Sequence, residues 1–380
     1  MTKLKVMTIL GTRPEIIRLS ACIKACDRYF DHKLVHTGQN YDYTLNEIFF
    51  EELGLRAPDF YLEAAGANLG QTMGNIIAKS YEVLAAEKPD AVLLLGDTNS
   101  ALAAISAKRL KIPIFHMEAG NRCFDLNVPE ETNRRFVDHI ADFNLVYTEH
   151  ARRHLLAEGL PHRRIYLTGS PMREVLETHR AAFAQSDVLA RLDLKPKGYL
   201  LASVHREENV DRAENLRLLL AAFTQAADEF KIPVIVSTHP RTRKRLALLD
   251  TAVDETKIRF LKPFGFHDYI KLQLEALCTI SDSGTIAEES GILGFPAVTV
   301  RNAIERPEAI DTGTILVTGL QPQAILDGIK VQIAPRSGVA QPRLPAEYEI
   351  NDTSLRVLKL IVGHARLSNA WDGIRPNDLT

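Results

Sequence analysis

Cysteine is scarce in this chain, with four in 380 residues, and tryptophan occurs once. The four thiols form neither a zinc signature nor a disulfide framework able to staple so long a chain. Cys22 and Cys26 fall with Leu19 and Ile23 on one helical stripe, so they read as core thiols in a reducing compartment. Neither sign of charge is in excess: 46 basic against 48 acidic residues leave a formal net charge of −2. That balance excludes a nucleic-acid footprint or a polybasic membrane surface. The basic clusters at Arg241–Arg245 and Arg152-Arg153 fit solvated helix faces. Nowhere does an apolar run approach the roughly 20 residues of a membrane span. The start, Lys3-Leu-Lys-Val-Met-Thr-Ile-Leu10, leads into Gly11-Thr12-Arg13-Pro14 without a small-residue cleavage pattern and reads as a first strand. A cytoplasmic, soluble enzyme is the expectation. Missing too are G-x-G-x-x-G, the Walker A loop, H-E-x-x-H and G-x-S-x-G, which argues against tightly bound NAD, phosphate-loop, zinc-protease and serine-hydrolase chemistry.

At 380 residues the chain exceeds a comfortable single core, and its 46% hydrophobic and 25% charged content suits a globular enzyme. Short β-branched and apolar runs alternate with longer helical stretches. Strands are expected at Lys5–Leu10, Lys33–His36, Ala91–Leu95, Pro113–Met117, Phe143–Tyr147 and Arg164–Leu167. A second series follows at Tyr199–Val204, Pro233–Ser237, Ile258–Leu261, Leu277–Ile280, Ala297–Val300 and Thr314–Val317. Continuous apolar strands separated by helices predict parallel sheets covered on both faces. The fold class is therefore α/β, with two doubly wound, Rossmann-like domains and ligands beyond the carboxyl ends of the strands, in an interdomain cleft. The expected divisions are residues 1–170, carrying a carboxylate cluster, and 171–352, binding the nucleotide. A C-terminal helical segment, 353–380, is expected to cross back to the first domain.

One stretch is unusually informative: Ile280-Ser281-Asp282-Ser283-Gly284-Thr285-Ile286-Ala287-Glu288-Glu289 reads as a buried strand, a small-residue turn and a helix carrying a carboxylate. Small residues admit a ligand backbone closely, and free N–H groups at a helix start favour phosphate oxygens. Glu289 could then reach a sugar hydroxyl. Similar polar turns follow other strands. Arg13 after the first strand could bind a phosphate, with Arg18 one turn along, or the segment could be a tight turn with a surface arginine. Asp97, His116, Glu118 and Glu130 each admit a plain reading as a cap, a core histidine or a first-turn carboxylate. Three acidic groups at successive loops on one sheet edge point instead to acid–base work, because clustered carboxylates can keep one proton while another stays ionised. In the second half, His205 and Arg206 could hold a leaving diphosphate, Phe264 could face a base, and Arg306 could meet the diphosphate. His239 reads as structural.

Taken in order, Gly11-Thr-Arg-Pro-Glu15, Gly96-Asp-Thr98, Met117-Glu-Ala-Gly120, Pro129-Glu-Glu131 with Asn133-Arg134, His205-Arg-Glu207, Ser281-Asp-Ser-Gly284 and Glu305-Arg-Pro-Glu308 resemble the non-hydrolysing UDP-N-acetylglucosamine 2-epimerase family. The resemblance runs from about residue 5 to 320. It implies a glycosyltransferase B-type fold, a homodimer and a UDP-sugar bound between domains. It makes Asp97, Glu118 and Glu130 the acid/base carboxylates, with Arg13, His205, Ser283, Gly284, Glu289 and Arg306 contacting UDP. Arg18 stands where relatives often carry lysine, and Thr285 stands where a second glycine is usual. Gly38-Gln39-Asn40-Tyr41-Asp42 replaces the Gln-His-Arg-Glu of an activator segment. That segment, Met117 to Asp125, His205 to Asn209 and Thr168-Gly-Ser-Pro-Met172 look like the UDP-N-acetyl-L-fucosamine synthase branch. The branch implies C-2 epimerisation of UDP-2-acetamido-2,6-dideoxy-L-talose for capsule or O-antigen sugars, with no metal or redox cofactor. Two alternatives stand beside it: a UDP-N-acetylglucosamine/UDP-N-acetylmannosamine 2-epimerase, and a glycosyltransferase of the same fold.

Overall fold

A computed structural model describes residues 3–39, 44–249, 253–335 and 343–374. Asn40, Tyr41 and Asp42, which figure in the branch resemblance, lie outside the described residues. The chain divides into two compact units, the first running to Glu177 and resuming at Ile350, the second spanning Thr178–Glu349.

In the first unit seven parallel strands form one sheet: β1 (Lys5–Leu10), β2 (Asp31–His36), β3 (Phe60–Tyr61), β4 (Ala91–Leu95), β5 (Ile114–Ala119), β6 (Phe143–Val146) and β7 (Ile165–Leu167). Their order is β3-β2-β1-β4-β5-β6-β7. The chain winds outward to one side from β1 and then to the other from β4, so the crevice beyond β1 and β4 is the topological switch point. β4, β5 and β6 are buried along their whole length, which is why they read as unbroken apolar runs rather than alternating ones. Ile16, Leu19, Cys22, Ile23 and Cys26 form the buried stripe of helix Arg13–Tyr29. The two-residue β3 is too short to carry a periodic signal and is absent from the sequence expectation.

Six parallel strands form the second sheet: β8 (Leu200–Ser203), β9 (Val234–Ser237), β10 (Ile258–Leu261), β11 (Thr279–Ser281), β12 (Ala297–Thr299) and β13 (Leu316–Val317). The order β10-β9-β8-β11-β12-β13 repeats the doubly wound plan and places a second switch point beyond β8 and β11. Its core joins Leu200, Ala202, Val234, Val236, Ile280 and Val298 to Leu219, Phe223 and Ile329 of the covering helices.

The first unit keeps more chain than the boundaries near 170 and 352 allow. Helix Met172–Thr178 carries Glu174, whose carboxylate accepts the backbone N–H of Ser354 at 2.9 Å. Thr353 Oγ1 donates to the carbonyls of Thr168 (3.1 Å) and Ser170 (3.2 Å). Asp352, at the N-cap of helix Thr353–His364, makes no side-chain cap, so Glu174 supplies the acceptor from a distant segment. That helix packs on helix Arg13–Tyr29. Gly and Pro at Gly169–Pro171 therefore mark a turn within the first unit, with Gly169 at φ +79° against Ile350.

Candidate active site

Both switch points carry the polar residues singled out in the sequence. In the first unit Gly11 ends β1 and packs so closely that a β-carbon there would lie 1.9 Å from Thr37 Oγ1 and 2.5 Å from Ser100 Oγ. The chain then enters helix Arg13–Tyr29, with Pro14 in its first turn. Arg13 is half-buried, its guanidinium 5.8 Å from the centroid of the Phe49 ring.

Arg18, one turn further, is buried and ion-paired with Glu118. Glu118 was expected in a loop but belongs to β5, which runs to Ala119. Pairing between β5 and β6 slips between Met117 and Ala119, and Glu118 takes φ +63°. Such a bulge re-aims one side chain at the cost of about 1–3 kcal/mol of backbone strain. Arg18 and the Asn121 amide, 3.4 Å from Glu118 Oε1, hold the re-aimed carboxylate. Gly96, at φ +71°, leaves room for it; a β-carbon there would sit 3.2 Å from Glu118 Oε2.

Asp97 does not cap the short helix Asn99–Leu102; Thr98 does, accepting from Ser100 N. The Asp97 carboxylate is gripped instead by Arg134, through Nε at 2.9 Å and through its terminal nitrogen. Asn133 donates to the Asp97 carbonyl at 3.0 Å. Both partners lie on helix Pro129–Ile140. Glu130 is half-buried in its first turn, four residues before Arg134 and so on the same face. The first unit thus brings Asp97, Glu118, Arg13 and Arg18 to one sheet end and ties the Glu130 helix to the Asp97 turn. His116 is fully buried, with Nε2 2.7 Å from the Gly96 carbonyl and Nδ1 3.0 Å from Asp138. It is a core histidine, hydrogen-bonded through Nε2, with Nδ1 close to Asp138 without hydrogen-bond geometry.

Sequence reasoning missed Glu15. Its carboxyl is 1% exposed and accepts from Gly11 N (2.9 Å), Thr12 Oγ1 (2.8 Å) and Thr98 Oγ1 (3.0 Å), with Ser100 Oγ at 3.5 Å. Burial pushes it up from 4.5 to about 7, against the hydrogen bonds from Thr12, Gly11 and Thr98 that favour the ionised form. The signal was present, since Thr12-x-x-Glu15 has capping-box spacing.

In the second unit Asp282 organises the site. Fully buried, it accepts the backbone N–H of His205 (3.0 Å) and Arg206 (2.9 Å) and the Asn209 amide (3.0 Å), fixing the turn after β8 against the turn after β11. His205 Nδ1 lies 3.2 Å from the same carboxylate, while its ring stays accessible. Arg206 reaches Glu305 at 3.6 Å, and the buried Arg301 holds Glu305 from behind. Ser283 Oγ lies 3.0 Å from Thr285 Oγ1 and 3.3 Å from Thr285 N. Thr285 Oγ1 donates to Glu289 at 2.7 Å, and Gln273 donates to the other Glu289 oxygen at 2.7 Å. Arg306 approaches the Gly284 carbonyl at 3.4 Å and pairs with the buried Glu288 at 2.9 Å. Phe264 is half-buried and packs against the core cluster that includes Tyr199, Leu201 and Ile235. His239 Nδ1 accepts the Arg241 N–H at 3.2 Å and caps helix Pro240–Leu246.

Among the described residues no group of three or more His, Cys, Asp or Glu is arranged to hold a metal ion. Nor is any helix among them long and apolar enough to cross a membrane.

Comparison with known proteins gives this geometry its context. The family model described as UDP-N-acetylglucosamine 2-epimerase matches residues 24–362. A UDP-N-acetylglucosamine 2-epimerase from Methanocaldococcus jannaschii is 35% identical over 347 residues, covering 89% of this chain and 95% of the relative. The structure of UDP-N-acetylglucosamine 2-epimerase from Rickettsia bellii is 45% identical, with a TM-score of 0.89, covering 98% of this chain and all of the other. A Methanocaldococcus jannaschii UDP-GlcNAc 2-epimerase in complex with UDP-GlcNAc and UDP is 32% identical, with a TM-score of 0.88, covering 95% of this chain and all of the other.

Proposed function

Because the chain belongs to the UDP-N-acetylglucosamine 2-epimerase family, we propose that it is a non-hydrolysing 2-epimerase of UDP-2-acetamido-2,6-dideoxy-L-talose, forming UDP-N-acetyl-L-fucosamine. The observation that carries the reaction type is the pair of arginine-held carboxylates, Asp97–Arg134 and Glu118–Arg18, at one switch point.

A hydrogen on C-2 beside an acetamido group is not acidified by a carbonyl, so direct removal faces a prohibitive barrier. The C-1–oxygen bond breaks first, and its electron pair leaves with UDP. His205, Arg206 and Arg306 stabilise the departing diphosphate, and the amide end of helix Ile286–Leu293 adds its dipole. A carboxylate then takes the C-2 proton, which leaves 2-acetamidoglucal and UDP. A second carboxyl returns a proton to the opposite face, and the UDP oxygen re-adds at C-1. Inversion thus needs at least two acid/base groups, which Asp97, Glu118 and Glu130 supply.

The 6-deoxy-L-talose assignment rests on the motifs shared with the synthase branch. A second reading, UDP-N-acetylglucosamine as substrate, is favoured by the 45% identity to the Rickettsia bellii protein of that name. On this reading the enzyme works in the cytoplasm as a homodimer and supplies surface-polysaccharide synthesis. The test is NMR of both UDP-sugars in deuterated water. Deuterium at C-2 and product from the talose sugar alone establish the first reading; turnover of UDP-N-acetylglucosamine alone establishes the second. Absence of exchange into either refutes epimerisation and favours a transferase. Glu118→Gln and Asp97→Asn are each expected to slow exchange by about 10²–10⁴-fold with UDP affinity retained.

A further inference from the structure

Glu15 is a buried ionisable group at the switch point to which the reaction above gives no part. An ordinary capping box turns the third-position carboxylate back to the N–H of the N-cap residue, while the N-cap hydroxyl accepts from the helix. Here Thr12 makes no cap hydrogen bond of its own. The Glu15 carboxyl takes the N–H of Gly11 and the Thr12 hydroxyl on Oε2, and reaches out of its helix to the Thr98 hydroxyl with Oε1. Thr98 is the neighbour of Asp97. The Asp97 turn is consequently held from two sides, by Asn133 and Arg134 of one helix and by Glu15 of another.

We propose that Glu15 is a positioning residue whose carboxyl ties the turn carrying Arg13 to the turn carrying Asp97, setting where the Asp97 carboxylate meets the sugar. This role rests on the 2-epimerase reading. The charged group acting on Glu15 is Arg18 of its own helix, which is ion-paired with Glu118 of β5, while Asp97 is the chain neighbour of Thr98. Among the described residues on the β2 side, Thr37 and Gln39 meet Ser100 Oγ at 3.1 and 3.2 Å, and burial lowers the His36 imidazole to about 4, which keeps it neutral between pH 6 and pH 8. Ionised, Glu15 accepts from Gly11, Thr12 and Thr98 together and draws the two turns inward. Protonated, it donates to one of the two hydroxyls, reversing that bond, and the bonds it still accepts lose their charge assistance, so the tie between the turns weakens. Titration of Glu15 near neutrality makes this a graded change within the working range of pH. Glu15→Gln imitates the protonated form with little change of shape, and Thr98→Val removes the link while keeping the side-chain volume.

The experiment measures C-2 hydrogen exchange by NMR from about pH 6 to pH 8 for wild type, Glu15→Gln and Thr98→Val, with UDP affinity from calorimetry. The wild-type to Glu15→Gln rate ratio is expected to rise about tenfold across that range. Thr98→Val should lose about 10–100-fold, as expected for a small misplacement of a reacting group. UDP affinity should fall less than the exchange rate in both variants, since of the groups expected to hold UDP only Arg13 lies on a turn that Glu15 ties, while His205, Arg206 and Arg306 lie in the other unit. A rate ratio independent of pH, whatever its size, or a Thr98→Val enzyme at the wild-type rate, overturns the role of Glu15. Wild-type protein that exchanges nothing overturns the 2-epimerase reading itself, and this role with it.

Discussion

Replacing Glu15 by glutamine should make the protein more stable, and increasingly so as pH rises. The carboxyl is buried and titrates at about 7 in the folded protein against 4.5 as its ordinary value. Between those values the folded state binds a proton that the unfolded state has released, so stability falls with rising pH. The contribution is fully present below pH 4.5 and lost by the time pH has risen through 7. At about 1.4 kcal/mol per unit, the whole change is about 3 kcal/mol. Between about pH 5 and pH 8 it comes to roughly 2–3 kcal/mol, because the unfolded state is already partly ionised at pH 5. Glutamine carries no titrating proton, so the difference between variant and wild type isolates this group from every other carboxylate. Urea melts of ligand-free protein at four pH values would give the difference directly. A thermal scan should separate the two proteins by about 5–10 °C more at pH 8 than at pH 5. A difference that does not change with pH, or one that favours wild type as pH rises, would refute a raised Glu15 and leave the carboxyl as an ordinary ionised acceptor.

Other perturbations test the remaining architecture. Asp282→Asn keeps an acceptor oxygen for the donors that converge on Oδ2 but loses its charge and turns an NH2 toward the His205 N–H at Oδ1; about 2–3 kcal/mol should disappear in denaturant melts, with UDP affinity at least about tenfold weaker. Glu174→Ala leaves the start of helix Thr353–His364 without its acceptor, costing about 1–2 kcal/mol and speeding hydrogen exchange at the Ser354 amide. Gly120→Ala puts a β-carbon 2.4 Å from the Ala151 carbonyl oxygen at φ +79°, and a loss of more than about 3 kcal/mol or failure to accumulate folded protein is expected on expression and melting.

The cost of ionising Glu15 and the positive φ of Glu118 lie at the same sheet end. Among the described non-glycine residues with positive φ, Glu118 alone lies within a strand, and the others sit in loops and turns and at helix ends. That pattern accords with sites that hold groups where chemistry needs them, against their local preference.

Local sequence determined much of this protein. The apolar runs from Lys5 to Val317 gave both sheets, because a strand buried on two faces leaves a contiguous signature in the chain. The ordered motifs gave the family, since turn residues at strand ends are specified within a few positions of one another. Tertiary structure decided what depends on partners far away in the chain. Arg18 and Glu118 are 100 residues apart, Thr98 and Glu15 are 83 apart, and Ser354 and Glu174 are 180 apart. No periodicity records such pairs, so neither the grip on each carboxylate nor the extent of the first unit could be read from the chain. Glu118 is the sharpest case: its residue type marked it as an acid/base candidate, but only pairing of β5 with β6 could create the bulge that turns it toward Arg18. Glu15 is the converse, a helix-start glutamate by sequence that burial among three donors makes a shared tie between two turns.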